Sequence, residues 1–400
     1  MEVLEVSLVR IPVGPQHPAL HEPENFTIEV EGETVVDVKV RIGYVHRGIE
    51  KGLESRTYVQ GIFLSGRICG ICSNCHTTTY AMTVEEAGGI EVPEKANYIR
   101  TIISELERIH SHLLWLGSAG LEIGFETMFM YVWRDREVVM DLLEAISGNR
   151  VNYAINIVGG VRRDITPELA KEIRKGLDYL EERTNYYKKL CFEETTIRKR
   201  TEGVGVLDTV TARKLGAVGP TARGSNVKFD VRKDDPHLKY DEAEFELITW
   251  DTCDTFARIV VRILEVLESI KIVRWCLDHM PKKGDIRPQK IIRRVPEGEA
   301  YGRFECQRGE LVYFVKSDGS DKPYRVKVRT PTMANILSVP ELLKGGYIAD
   351  VPIALASIDP CFACEDRITF VDVEKERKWT WTKEQLRKYA MEFNRREGRW

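Results

Sequence analysis

The chain has 400 residues, 43% hydrophobic and 30% charged, with a formal net charge of −3. That is the composition of an ordinary globular protein, with room for one large domain or two medium ones. No basic block stands out, which argues against nucleic acid as the main partner. No apolar run approaches the roughly 20 residues of a membrane helix. Met1-Glu2-Val3-Leu4-Glu5 lacks the basic and apolar regions of a signal peptide. A cytoplasmic location is therefore expected, with any membrane link made through partners.

In chain order, the first 50 residues read as β. Val3, Leu4, Val6 and Val9 form one apolar run, and Phe26–Val30 and Val35–Val40 alternate around a turn at Glu31-Gly32-Glu33. Between them lies a rigid loop, Gly14-Pro15-Gln16-His17-Pro18. From Pro93 the pattern turns helical, with Ile99, Ile102, Ile103, Leu106, Ile109 and Leu113 on one stripe. Glu105, Glu107, Arg108, His110 and His112 share that helix. Two histidines at i and i+2 do not face each other, so they read as polar groups at a helix or subunit interface rather than a metal pair.

Helix is also expected at Val138–Ile146, ending at Ser147-Gly148-Asn149-Arg150, and from 166 to about 190. Gly216–Gly224 reads as a loop without the Gly-Lys-Ser/Thr ending of a P-loop. The longest helical pattern is expected from Asp241 to Met280, stopped by Pro281 and Gly284. Residues 291–330 return to β, through Gly309–Val315, a turn at Asp318-Gly319-Ser320, and Tyr324–Val328; helix follows. Beyond residue 367, Ile368–Val373 reads as a strand, and Leu386, Tyr389, Ala390 and Phe393 as a short amphipathic helix. The whole is an α+β chain, mainly helical. It divides into an N-terminal β region (1–60), a helical core (61–367) with a β insertion near 291–330, and a tail (368–400).

Two thiol-rich stretches frame this core. Arg67-Ile68-Cys69-Gly70-Ile71-Cys72 precedes His76, and Asp359-Pro360-Cys361-Phe362-Ala363-Cys364 leads to Arg367. One Cys-x-x-Cys pair is a redox dithiol or half a metal site; two pairs complete a four-thiolate site if the fold joins the chain's ends. Pairs this far apart fit a zinc ribbon poorly. Cys75 belongs to the first stretch, and the scattered Cys191, Cys253, Cys276 and Cys306 read as buried or free thiols.

These motifs and their flanks resemble the large subunit of nickel–iron hydrogenases, in the membrane-bound, energy-converting group related to respiratory complex I. The resemblance runs from about Pro12 to Arg367. It includes Gly43-Tyr44-Val45-His46-Arg47-Gly48, Gly159–Asp164 and Gly219-Pro220-Thr221-Ala222-Arg223. It implies a hydrogenase-large-subunit-like helical core, with Cys69, Cys72, Cys361 and Cys364 as the metal ligands of a nickel–iron centre. It also implies Arg67 and His17 as candidate catalytic residues, the latter by likeness to a quinone-cavity loop of complex I. Arg162 and Arg163 would line a path to a cluster.

The implied partners are an iron–sulfur small subunit, whose cluster this chain is too poor in cysteine to supply, and membrane subunits including antiporter-like ones. The chain would sit in a peripheral arm on the cytoplasmic side of the membrane. One departure is specific. The family's hydrogenases carry a proton-gating Glu three residues before the first cysteine, and here that residue is Gly66. Glu50 and Asp359 are the carboxylates left to replace it. The family's processed hydrogenases also lose the segment after the residue matching Arg367.

Three readings follow. The missing Glu and the extra tail favour a sulfane sulfur (polysulfide) reductase coupled to ion pumping, reacting at a cluster of the partner. The four intact cysteines favour a hydrogen-evolving hydrogenase. The third reading is a non-catalytic complex I-like scaffold or quinone-cavity subunit, against which the cysteines speak.

Overall fold

The structure is a computed structural model that describes residues 8–18, 20, 22–290, 292–364 and 383–396. It begins with an antiparallel sheet of β1 (Leu8–Val13), β2 (Asn25–Glu31) and β3 (Thr34–Arg41), with β2 central. Phe26, Ile28 and Val30 are buried, as the period of two requires for a strand packed on one face. Of the expected apolar run, Val9 lies on β1, 49% exposed, and Val3, Leu4 and Val6 lie outside the described residues. Helix also begins inside the stretch read as β. α1 (Ile49–Glu54) and α2 (Tyr58–Ser65) follow directly, α2 starting on a capping box of Thr57 and Gln60.

The core helices are α3 (Ser73–Gly88), α4 (Glu94–Glu122) and α5 (Glu126–Ser147), the last stopping at left-handed Gly148. A two-residue hairpin, β4 (Asn156–Ile157) and β5 (Gly160–Val161), comes next. A Cβ on Gly160 would stand 2.2 Å from the Ile286 carbonyl oxygen, so this close approach requires glycine. Then come α6 (Pro167–Glu193), α7 (Thr195–Thr201), α8 (Thr209–Leu215), α9 (Gly219–Arg223), α10 (Val231–Asp234) and α11 (Thr255–His279).

Two expectations are corrected here. The stretch 216–224 is not all loop, because α9 lies within it. The helix expected from Asp241 starts only at Thr255. Cys253 sits at φ 60, which breaks a right-handed helix, and the Asp254 side chain caps the new one by accepting the Ala257 N–H. The longest helix is therefore α4 with 29 residues, not α11 with 25.

A second antiparallel sheet follows, β6 (Gly298–Cys306), β7 (Gly309–Ser317) and β8 (Pro323–Arg329), laid against α3. The helix expected after it is three short ones: α12 (Pro331–Asn335), α13 (Val339–Leu343) and α14 (Val351–Ala356). Each has a proline in its first turn, which starts a helix but cannot continue one. The tail helix is α15 (Lys383–Arg396); the expected strand Ile368–Val373 lies outside the described residues.

α4 is the axis of the molecule, packed between α5 and α11, with α6 outside them. Ile99, Ile102, Ile103, Leu106, Ile109 and Leu113 are all buried, each contributing roughly 1.5–3 kcal/mol against an exposed reference. Its polar residues are buried as well, and they are paired. Glu105 meets Arg108, Arg232, Tyr240 and Ser269; Arg232 also holds Asp230; Arg223 bridges Glu265 and Glu305; and His112 bonds Glu265 at 2.9 Å. Arg108 further donates to the Glu305 and Cys306 carbonyls, at 2.6 and 3.1 Å, tying α4 to the β6–β7 turn. Buried ions are tolerated only when each finds such partners.

The network carries one carboxylate more than its three arginines neutralise. Burial and the neighbouring Asp230 push Glu305 up to about 7, against the pull of Arg223. A carboxyl raised on folding stabilises fully below its unfolded value, and that contribution is lost as pH rises through about 7. Urea midpoints of the wild type should therefore fall between pH 5 and pH 8. Glu305→Gln, which keeps an acceptor but cannot ionise, should flatten part of that fall. Equal slopes for the two proteins would contradict the assignment.

Candidate metal centre

The two cysteine segments meet. Cys69 and Cys72 lie on the turn between α2 and α3, with Cys72 as the N-cap residue of α3. Cys361 and Cys364 lie on the turn after α14, closed by the Cys364 N–H bonding the Cys361 carbonyl at 3.0 Å. The four Sγ atoms all fall within 4.8 Å of one another, and all four residues are buried. Cys364 Sγ lies 3.0 Å from Cys361 Sγ and 4.0 Å from Cys72 Sγ.

Bonds from outside the thiols fix this meeting. The Arg47 guanidinium donates to the carbonyls of Arg67 at 2.9 Å, Ile68 at 2.7 Å and Ala363 at 2.7 Å, so one side chain spans both segments. Thr332 Oγ1 accepts the Cys361 N–H, and Thr330 Oγ1 donates to the Cys364 carbonyl. Arg308, on the turn that Arg108 anchors, pairs with Asp359 at 2.8 Å and also donates to its carbonyl. Asp359 needs that support, since it sits at φ 53.

The α3 side is equally ordered. Glu107 of α4 accepts the first free N–H groups of α3, from Asn74 at 2.6 Å and Cys75 at 3.0 Å. Burial raises Glu107 to about 7, and Gln307 donates to it at 2.9 Å. His76, one turn after Cys72, places Nε2 3.7 Å from Cys364 Sγ and Nδ1 2.8 Å from Tyr313 Oη. Burial lowers His76 to about 4, which keeps it neutral. Hydrogen bonds from Cys361, Cys364 and Cys72 hold Cys69 well below the usual thiol range, whereas Cys72 and Cys364 are pushed up.

An all-sulfur, buried donor set of this spacing fits a soft metal ion: tetrahedral thiolates on one ion lie about 3.8 Å apart at bond lengths near 2.3 Å. Beside it is a cavity of about 290 Å³ that reaches Cys361. Leu20, Leu114, Trp115, Trp133, Leu355 and Phe362 form its apolar walls, and Glu22, Arg308 and Asp359 its polar points.

Neither residue singled out as catalytic is among those lining this cavity. His17 is exposed and absent from the cavity lining, although Leu20 and Glu22 of the same loop enter it. Arg67 is exposed too, and serves the site through its carbonyl. Glu50 accepts from Lys327 and the Val328 N–H. Gly66 has φ −65, open to any residue, but a Cβ there would meet Thr77 Cγ2 at 3.0 Å and Ser73 Oγ at 3.1 Å. Sequence reasoning passed over Arg47, Arg308 and Glu22. The signals present were an arginine inside a family-like segment and a carboxylate four residues after the Pro18 loop.

Comparison with known proteins agrees with this geometry. The profile described as "Respiratory-chain NADH dehydrogenase, 49 Kd subunit" matches residues 122–293 and 289–367, and that of "Nickel-dependent hydrogenase" matches 47–117. The membrane-bound hydrogenase subunit alpha of Pyrococcus furiosus is 42% identical, over 96% of this chain and 93% of its own. A subunit of the F(420)H(2) dehydrogenase of Methanosarcina mazei is 40% identical, over 92% of this chain and 100% of its own. A chain in the structure of the membrane-bound sulfane sulfur reductase, an archaeal respiratory membrane complex, superposes with a TM-score of 0.86 at 35% identity. That match covers 91% of this chain and 100% of the other. This chain belongs to the oxidoreductase family that unites the large subunit of nickel–iron hydrogenases with the 49-kDa subunit of respiratory complex I.

Proposed function

We propose that this chain is the sulfur-reducing subunit of a membrane-bound respiratory complex. Sulfane-sulfur bonds are cleaved at an iron–sulfur cluster of the partner subunit beside this chain, and membrane subunits, antiporter-like ones among them, couple the reaction to ion pumping. The peripheral arm that holds it faces the cytoplasm. Among the described residues no helix is long and apolar enough to cross a membrane, so the membrane link falls to those partners. The observation that carries the reading is at position 66. The proton-gating carboxylate of the hydrogenases is replaced by glycine, and a Cβ there would press on Thr77 Cγ2 and Ser73 Oγ at 3.0 and 3.1 Å. The apolar cavity reaching Cys361 supports it, since it offers neutral sulfur chains a desolvated approach.

A hydrogen-evolving hydrogenase is the second reading, favoured by the convergence of the four sulfurs. Cys69, Cys72, Cys361 and Cys364 would then hold a nickel–iron centre, which supplies hydrogen activation. This chain's own contribution is the same in both readings. Arg47 and Arg308 orient the sulfur segments, and the walls of the cavity exclude water.

The intact complex should reduce dimethyl trisulfide to thiol and sulfide products, with little hydrogen evolution from reduced dyes. Elemental analysis should find iron without stoichiometric nickel. Nickel at one per chain, with rapid hydrogen evolution, would establish the second reading instead. Gly66→Glu should not create hydrogen evolution, and its overpacking against Thr77 and Ser73 should lower stability by about 1–3 kcal/mol in chemical denaturation. Arg47→Ala removes three charge-assisted bonds. It should cost at least about 1.5–3 kcal/mol and make the four thiols react faster with a thiol-labelling reagent. Unchanged labelling would mean that the segments meet without it.

A further inference from the structure

We propose that Trp133 sets the specificity of the cavity beside Cys361, by narrowing its mouth to slender, uncharged sulfur chains; this rests on the sulfur-reduction reading. Trp133 lines the cavity and is 37% exposed, more than any other described lining residue. It therefore belongs both to the cavity wall and to the outer surface, which is the position of a mouth. Met130, three residues earlier on the same face of α5, is 64% exposed and extends the apolar surface outward from it.

The cavity's other tryptophan, Trp115, is a fixed wall. It is buried, its indole N–H donates to the Ala356 carbonyl at 2.7 Å, and the Arg262 guanidinium lies 4.0 Å from its ring centroid. Trp133 rests on a seat made for a ring. A Cβ on Gly117 of α4 would stand 2.5 Å from Trp133 Cδ1 and 2.8 Å from Nε1, so the indole of α5 lies directly on the α4 backbone. Phe129, one turn earlier, packs against it at a centroid separation of 4.9 Å. The Arg136 guanidinium, which bonds His110 Nε2 at 2.7 Å, lies 5.2 Å from the ring centroid. Gly117 thus lets one large side chain bridge α5 to α4 beside Leu114 and Ser118 of the lining.

The lining also selects by charge. Arg308 is the one cation among the described lining residues, and it is paired with Asp359 at 2.8 Å; Glu22 adds a second carboxyl. An anionic polysulfide would leave water for apolar walls without a cation to compensate it. A dialkyl trisulfide carries no charge, and its polarizable sulfurs make favourable contacts with aromatic rings.

The test uses the intact complex with three trisulfides: dimethyl, dibenzyl and the anionic bis(2-carboxyethyl). The wild type should prefer the dimethyl compound in kcat/KM over both others. Trp133→Ala should raise the dibenzyl-to-dimethyl ratio roughly 10–200-fold, and Trp133→Phe should raise it less. The bis-carboxylate should stay poor in both variants, because the carboxyls of the lining remain. A purely structural Trp133 would lower all rates together and leave the ratio alone. A ratio within about twofold of wild type in Trp133→Ala would overturn the proposal. Should that variant fail to assemble, an unchanged ratio in Trp133→Phe overturns it equally. A wild type that uses the bis-carboxylate as well as the dimethyl compound overturns the selection by charge. Binding of each trisulfide to the oxidised complex, measured by calorimetry without an electron donor, keeps the two readings apart. A wild type that binds the dimethyl compound without reducing it sinks the sulfur-reduction reading, and the same ratio taken on Kd then decides the role of Trp133. A wild type that binds none of them overturns both.

Discussion

One guanidinium, that of Arg47, reaches a carbonyl 316 residues further along the chain. Arg47 bonds the carbonyls just before Cys69 and the carbonyl between Cys361 and Cys364. Backbone carbonyls at sharp turns have few other partners, and a charged donor satisfies them more strongly than a neutral one. The planar fork also fixes direction, which a lysine ammonium would not. This clamp acts together with the bonds of Thr330, Thr332 and Arg308 to the Cys361 segment in holding four sulfurs within 4.8 Å.

That clamp works because what lies behind it is rigid. The buried ions of α4, α9, α10 and α11 interlock through Glu105, Arg223 and Arg232, and Arg108 passes their order to the β6–β7 turn. Arg308 on that turn then fixes Asp359, two residues before Cys361. Replacing such a network by apolar groups often costs little stability. Its value here lies in placement: each arginine has several directional bonds, so a sliding motion of α4 against α11 would break many at once. On the other side, Glu107 ties the start of α3 to the same helix. Both halves of the sulfur site therefore refer back to α4.

The parts of this plan that depend on local periodicity were legible in the sequence. The alternation of Phe26, Ile28 and Val30 and the stripe from Ile99 to Leu113 describe their own burial. The four cysteines announced themselves through paired spacing and flanks. What was hidden depends on contacts between distant residues. The start of α11 was obscured because Cys253 takes a left-handed conformation that no composition reveals. β6 was not separated from its surroundings because Gly298 and Gly302 dilute its pattern, and these glycines lie against the Ala87 carbonyl and Thr83 of α3. His17 and Arg67 stood out by neighbourhood, yet their side chains are exposed, while Glu22 and Arg47 reach the site from less conspicuous positions.

The relation between fold and chemistry in this family follows from the same division of labour. Relatives at 42% and 40% identity carry names for a hydrogenase and for an F(420)H(2) dehydrogenase, and a matching structure carries one for sulfane sulfur reduction. A scaffold that fixes two turns and a cavity can serve all three, because it specifies where a substrate meets an electron source and not which bond is made. The choice then falls to the few groups that face the cavity. In this chain the polar and sulfur groups among them include Cys361, Arg308, Asp359 and Glu22.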